Sequence, residues 1–353
     1  MNRIDQFRPD APALARPGPH PVGVRTEVLP GPRALVTEYW YPAEAGTPPG
    51  CAYATLLRDG HRAITLMGQA CRGAHAAAGV GELPLVVISH GWPGNRYLMG
   101  HFAEHLASHG YRVVAIDHPG STYEDKQPLA ETLLHRPDDI RQTARHFGGD
   151  HAVIGYSMGG YGALVAGGAG VAEAALTMEG APEAALFARH RAPAADPALK
   201  AVIPIGPWGR ARGLWDAGGL AGLAVPMLLM AGEADAVSGY EDGMRRIFEE
   251  AAGVPRWLLT FERAGHNAAA PIPAPAEASD PSPYLDFLPF EHYADPVWDS
   301  LRMNDIARHF ARAFLDLHLK GDGTAAAHLV PGDWPGFAVP PQGLRLETLA
   351  PGQ

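Results

Sequence analysis

The sequence predicts an α/β protein, a doubly wound and mostly parallel sheet flanked by helices. Two observations carry this. Short, continuous apolar runs recur at 85–88, 113–116, 152–156, 201–205, 227–230 and 257–261, each with the length and composition of a strand covered on both faces. Stretches with helical periodicity separate several of them, and strands alternating with helices imply parallel pairing through crossovers. With 353 residues, 46% of them hydrophobic, the chain has enough apolar material for one large core, and we read 1–353 as a single domain without internal repeats.

The elements follow in order. The opening to about residue 21 reads as irregular. Segments 22–28 and 34–41 read as strands around the turn Pro30-Gly31-Pro32. Residues 42–81 read as an insertion before the main sheet, with one helical candidate at 52–70. A helix is expected at 97–108, stopped by Gly110, and another at 136–147, with Ile140, Ala144 and Phe147 on one face and Gly148 as its stop. Residues 301–319 form a long helix with Ile306, Phe310, Phe314 and Leu317 on one stripe. Segment 268–298 is rich in proline and aromatics and too long for a plain connection, so it is expected to be a lid or pocket wall. Residues 322–353 read as a C-terminal tail.

Composition narrows the function. Formal net charge is −10, from 28 basic and 38 acidic residues, and no basic run occurs, which speaks against nucleic acid or anionic membranes as partners. Residues 1–20 lack the apolar core of a signal peptide, and no apolar stretch reaches the length of a membrane span. A soluble, cytoplasmic protein is expected, with Cys51 and Cys71 as free thiols. Oligomeric state leaves no signal.

The chemistry centres on Gly155-Tyr156-Ser157-Met158-Gly159, placed between an apolar run and a small-residue helical stretch. A strand, a sharp turn with serine at its apex, and a helix lift the hydroxyl out of the sheet, and small flanking residues let the helix pass close to the strand. A serine hydroxyl needs a neighbouring base, and the base needs an anion to fix its tautomer. Asp235 follows the strand at 227–230 and His266 follows the strand at 257–261, so both belong to the sheet edge that carries Ser157. Glu233 is the rival acid. Oxyanion donors are expected from the N–H of Met158 and, in the loop Ser89-His90-Gly91-Trp92-Pro93-Gly94, from the N–H of Trp92. Tyr156, Tyr284, Phe287 and Phe290 are candidates to line the substrate pocket.

With these motifs, and with Asp117-His118-Pro119-Gly120 and Arg136-Pro137-Asp138-Asp139, the chain resembles the α/β-hydrolase serine esterases over roughly 83–322. It is most similar to the bacterial dienelactone-hydrolase-like group that adjoins the platelet-activating-factor acetylhydrolases. The resemblance implies a Ser157–His266–Asp235 triad, a small-molecule ester substrate and no metal or organic cofactor. Dienelactone hydrolases use cysteine where this chain has Ser157, which shifts the expectation from lactones to a general ester, thioester or amide. An amidase or acyltransferase on the same fold is the first alternative, and a non-catalytic binding protein is the second.

Other signals are set aside. His101-Phe102-Ala103-Glu104-His105 matches an inverted zinc-protease motif, but the apolar stripe Leu98, Phe102, Leu106 turns its polar residues outward and no third ligand follows, so no metal site is expected. Asp117 and His118 are read as structural, and Arg136 and Arg302 as members of helix-surface salt bridges.

Overall fold

The computed structural model describes residues 2–332, 334–338 and 341–353. In chain order its strands are β1 (Asn2–Arg3), β2 (Val22–Leu29), β3 (Leu35–Pro42), β4 (Cys51–Leu56), β5 (Ala63–Gly68), β6 (Cys71–Arg72), β7 (Leu85–Ser89), β8 (Arg112–Asp117), β9 (His151–Tyr156), β10 (Leu199–Ile205), β11 (Met227–Gly232), β12 (Arg256–Phe261) and β13 (Leu344–Leu349). The helices are α1 (Gly100–Ser108), α2 (Leu129–Phe147), α3 (Met158–Ala166), the short α4 (Ala184–Phe187), α5 (Ala217–Ala221) and α6 (Arg246–Glu250), and α7 (Ser300–Leu319).

Ten strands form one sheet in the order β13-β12-β11-β10-β9-β7-β8-β3-β2-β6. Neighbours from β8 across to β12 are parallel, while β3 joins β8, and β13 joins β12, antiparallel. The apolar runs are strands because alternate residues feed two cores. Val86, Ile88, Val113 and Ile154 pack with Phe102 of α1 and with Phe310 and Phe314 of α7. Leu85, Val87, Val114 and Val153 pack on the other face with Leu133 of α2, Tyr161 of α3 and Phe248 of α6. The chain runs from β7 to β8 on one side and then crosses to β9 on the other. That reversal opens a crevice at the carboxyl ends of β7 and β9.

Several expectations are corrected. The helix expected at 52–70 is the hairpin β4–β5, which pairs with β1 in a separate three-stranded sheet. Cys51, Tyr53, Ile64 and Leu66 are buried while Ala52, Ala54, Ala63 and Thr65 face solvent, a period of two. The turn is fixed by Asp59, whose Oδ1 accepts the N–H groups of His61 and Arg62, both at 2.9 Å, and by Gly60 at φ +74°. Alanine's helix preference is overridden by this tertiary pattern. Helix α2 starts at Leu129, seven residues before the expected start at 136, and contains Pro137. Proline offers no N–H to the carbonyl of Leu133, and the buried Tyr161 hydroxyl donates to that carbonyl instead, at 2.7 Å. Part of the expected tail at 322–353 is β13, which pairs with β12 over six residues; positions 333, 339 and 340 of that segment lie outside the described residues.

The polar residues of α1 are buried, not outward-facing. Hairpin β4–β5 and the segment around Ala270 cover that face. Glu104 accepts from Tyr53 Oη at 2.5 Å and from the N–H of Gln69 at 2.8 Å, and His101 Nε2 bonds the carbonyl of Ala270 at 2.9 Å. Among the described residues, no helix is long and apolar enough to cross a membrane.

Candidate active site

Ser157 caps β9 and precedes α3 with φ +53°, a left-handed conformation that costs a non-glycine residue free energy and that the surroundings impose. The flanking glycines are required by contact. A Cβ on Gly155 would stand 2.1 Å from the carbonyl oxygen of Gly159, and one on Gly159 would stand 1.9 Å from that of Ser89. The N–H of Ser157 donates to Ile205 of β10 at 2.9 Å and its carbonyl accepts from Trp208 at 3.2 Å, which ties the turn to the neighbouring strand.

Three side chains from three connections meet above this turn. His266 Nε2 lies 3.0 Å from Ser157 Oγ, and His266 Nδ1 lies 2.8 Å from Asp235 Oδ2. Asp235 is itself held, since its Oδ1 accepts the N–H groups of Val237 at 2.8 Å and Ser238 at 2.9 Å. Its carboxylate has no exposed surface, and the imidazole is only 15% exposed. Glu233 points elsewhere, accepting from the N–H of Arg263 and pairing with Arg345 at 3.0 Å. Geometry thus separates the two candidate acids.

A cavity of about 690 Å³ opens over the serine, lined among others by Trp92, Tyr156, Ser157, His266, Phe287 and Phe290. Tyr284 is corrected: it is 60% exposed and stacks on His61, outside the lining. Tyr156 Oη donates to Asn267 Oδ1 at 2.9 Å. Asn267 Nδ2 in turn donates to the carbonyls of Glu291 at 2.6 Å and Ala294 at 2.9 Å. Asn267 therefore clips the proline- and aromatic-rich segment to the histidine loop. Sequence reasoning gave it no role, and its place next to His266 was the only available signal.

The floor beneath the crevice is polar and buried. Arg136 sits in α2 at 1% exposure, which corrects its expected surface position. Its guanidinium donates to the carbonyls of His90 at 2.6 Å and Gly91 at 3.3 Å and to the hydroxyl of Ser121. His90 Nδ1 also bonds the Gly91 carbonyl, at 2.7 Å. In a planar trans peptide the N–H of Trp92 points opposite to the Gly91 carbonyl. Both partners of that carbonyl therefore turn this N–H away from Arg136. Burial and the charge of Arg136 hold His90 well below the usual imidazole range, so its Nδ1–H donates from a neutral ring.

A second Ser-His-Asp relay lies in this floor. His118 Nε2 is 2.9 Å from Ser89 Oγ and His118 Nδ1 is 3.0 Å from Asp139 Oδ2. All three are at most 2% exposed. Burial holds His118 well down and pushes the Asp139 carboxyl up to about 6. Ser89 has no exposed surface and is not part of the cavity lining, which agrees with the structural reading of His118. Asp117 binds the backbone N–H of Arg96 at 2.6 Å and its guanidinium. Arg302 pairs with Asp10 at 3.0 Å on the surface, as expected.

Fold and crevice together define the class, and comparison with known proteins agrees. A family model described as alpha/beta hydrolase fold matches residues 84–169, the span from β7 through the serine turn and α3. Among solved structures the chain is similar to a ferulic acid esterase from Streptomyces cinnamoneus, at 18% sequence identity and a TM-score of 0.63, over 97% of this chain and 97% of that one. No curated protein sequence matches the chain. The chain has the α/β-hydrolase fold.

Proposed function

We propose that this protein is a serine hydrolase that cleaves a carboxylic ester of a small or medium-sized substrate through an acyl-enzyme. The observation that carries this reading is the relay Asp235–His266–Ser157, joined at 2.8 and 3.0 Å and opening on the cavity. Ser157 Oγ attacks the ester carbonyl carbon while His266 Nε2 takes its proton. Asp235 accepts from His266 Nδ1–H, fixing the tautomer and stabilising the imidazolium. The carbon–oxygen bond to the alcohol breaks as His266 returns the proton to the leaving oxygen. Water then adds to the acyl carbon, losing its proton to His266, and Ser157 departs as the hydroxyl. These steps need no metal or organic cofactor.

Two N–H groups are assigned to the oxyanion. Met158 is the first residue of α3, where N–H groups lack intrahelical partners and the helix dipole is positive. Trp92 offers the N–H that the Gly91 carbonyl contacts turn outward. Each such donor contributes about 3 kcal/mol to lowering the barrier. The aromatic lining of Tyr156, Phe287 and Phe290 supports an apolar acyl or alcohol group. The similarity to a ferulic acid esterase supports an ester over an amide. On its motifs we place the chain nearest the dienelactone-hydrolase-like group.

The test is labelling with a fluorophosphonate, expected in the wild type and absent in Ser157→Ala. p-Nitrophenyl esters of increasing acyl length, run beside the matching anilides, then read the bond type. A wild type that takes no label sinks the nucleophile assignment, and anilides cleaved as fast as esters replace the esterase with an amidase.

A further inference from the structure

We propose that Arg58 is an anion-binding residue of this cavity and that the preferred substrate is an ester carrying a carboxylate. The inference rests on the hydrolase reading above and names its substrate class. Arg58 stands in the turn between β4 and β5, half-buried, on the wall of the cavity that holds Ser157. Its Nε is buried and has no hydrogen-bond partner among the described residues. The guanidinium carbon lies 5.9 Å from the ring centre of Tyr123 and 5.7 Å from that of Phe287, within reach of both aromatic faces.

Glu291 and Asp295 also line the cavity, and they and Asp59 accept hydrogen bonds from groups other than Arg58. Asp59, next in sequence, accepts from His61, Arg62 and Ser282. Asp295 accepts the N–H groups of Gly265, Val297 and Trp298. Glu291 accepts the N–H of Leu288 through Oε1. Among the described residues neither Arg58 nor Lys126 has a carboxylate within 4.0 Å. The Lys126 Nζ lies 4.6 Å from the ring centre of Trp92, a residue of the cavity lining. Burial, and then the charge of Arg58, draw the Lys126 ammonium below its ordinary range, so the two cations act on one another.

Other arginines of this acidic chain find acids: Arg96 pairs with Glu38 and Asp117, Arg210 with Glu250 and Arg245 with Glu347. A guanidinium on a cavity wall without a carboxylate partner is favourable when a ligand anion completes it. The end-on edge formed by the two Nη groups matches the two oxygens of a carboxylate, and the Lys126 ammonium adds field of the same sign. The site therefore selects esters that carry this group, while Ser157 and His266 supply the chemistry.

Two pairs of substrates test this. The p-nitrophenyl monoester of adipic acid against p-nitrophenyl hexanoate places the anion in the acyl half. 4-Carboxyphenyl butyrate against 4-carbamoylphenyl butyrate places it in the alcohol half. In at least one pair, wild-type kcat/KM for the anionic ester is expected to exceed that for the neutral one by about tenfold or more. Added NaCl should shrink this ratio. Arg58→Gln should lower it by about tenfold and Arg58→Lys by less, as expected for a bidentate contact. Ratios at or below one in both pairs, from a wild type that cleaves the neutral esters, overturn the anion site and leave the hydrolase reading standing. So does a ratio that Arg58→Gln does not change. A wild type that cleaves none of the four esters and takes no fluorophosphonate brings down the hydrolase reading itself. The wild-type ratios and their salt dependence need no variant to fold.

Discussion

Arg136 offers a test of how the loop proposed to supply an oxyanion donor is aimed, and Arg136→Met is the substitution that isolates it. The native guanidinium makes two short contacts, to the carbonyl of His90 and the hydroxyl of Ser121, and two long ones, to the carbonyl of Gly91 at 3.3 Å and the hydroxyl of Ser89 at 3.4 Å. The short pair, being charge-assisted, is worth about 3–6 kcal/mol, and the long pair adds little. Against this stands the cost of burial, which draws the Arg136 pKa from 12.5 down to about 9. That shift corresponds to about 5 kcal/mol that a methionine of similar length does not incur. The two effects nearly cancel, so stability in urea should change by no more than about 2 kcal/mol. The loop fares differently. Without the short contact to the His90 carbonyl the loop loses its tie to α2, and the Trp92 N–H that it carries loses its aim. Loss of one oxyanion donor lowers kcat about 10²–10³-fold, so a fall of about a hundredfold with little change in KM is expected on a neutral p-nitrophenyl ester. Arg136→Lys, which reaches one carbonyl, should recover part of that loss. A folded Arg136→Met with kcat within threefold of wild type would refute the positioning role, as would a loss confined to KM.

The two candidate acids make opposite predictions. Asp235→Asn should lower kcat by about 10³–10⁴-fold by stabilising the wrong imidazole tautomer. Glu233→Gln, at a side chain that bonds Arg263 N–H and pairs with Arg345, should stay near wild type; steady-state kinetics on one ester reads both, and the reverse order would exchange their roles. Glu104 gives a pH signature. Burial raises its carboxyl from 4.5 to about 7. The native state therefore holds the proton where the unfolded chain has lost it, and stability falls as pH rises from about 4.5 to about 7 and is level above. The span corresponds to about 3 kcal/mol. Relative to wild type, Glu104→Gln should gain that amount between pH 4.5 and pH 8 in urea titrations, and parallel curves for the two proteins would exclude it.

What the sequence disclosed and what it hid divide along the range of the interactions. The serine turn is local: strand, glycines and helix follow one another within a dozen residues, and the glycines are dictated by backbone contacts inside that stretch and with β7. Asp235 and His266 were legible because each directly follows a buried strand, and strand ends share an edge once the sheet is parallel. The hidden residues depend on contacts between distant segments. Arg58 lies in a stretch whose alanines imitate a helix, and only the pairing of β4 with β5 carries its side chain to the cavity. The helical wheel turned His101, Glu104 and His105 outward because it assumes one wet face. In α1 that face is covered by the β4–β5 hairpin, with Gln69 and Ala70 just beyond it, and by the segment around Ala270, so its polar groups are bonded inside.

The two Ser-His-Asp relays carry this point to the chemistry. Measured by hydrogen bonds alone they are equivalent, with Ser–His distances of 2.9 and 3.0 Å and His–Asp distances of 3.0 and 2.8 Å. They differ in the backbone beneath the serine and in what lies above it. Ser89 ends β7 in regular strand geometry with no exposed surface, under a loop that Arg136 and His90 tie down. Ser157 is forced to φ +53°, lifted off β9 at the mouth of α3, and faces a cavity. A relay prepares a nucleophile only where a carbonyl carbon can reach the oxygen and where N–H groups wait for the charge that develops. The same three residue types therefore serve as a buried polar floor in one place and, in the mechanism we propose, as reacting groups in the other. The steric demand that removes side chains from Gly155 and Gly159 is what separates the two.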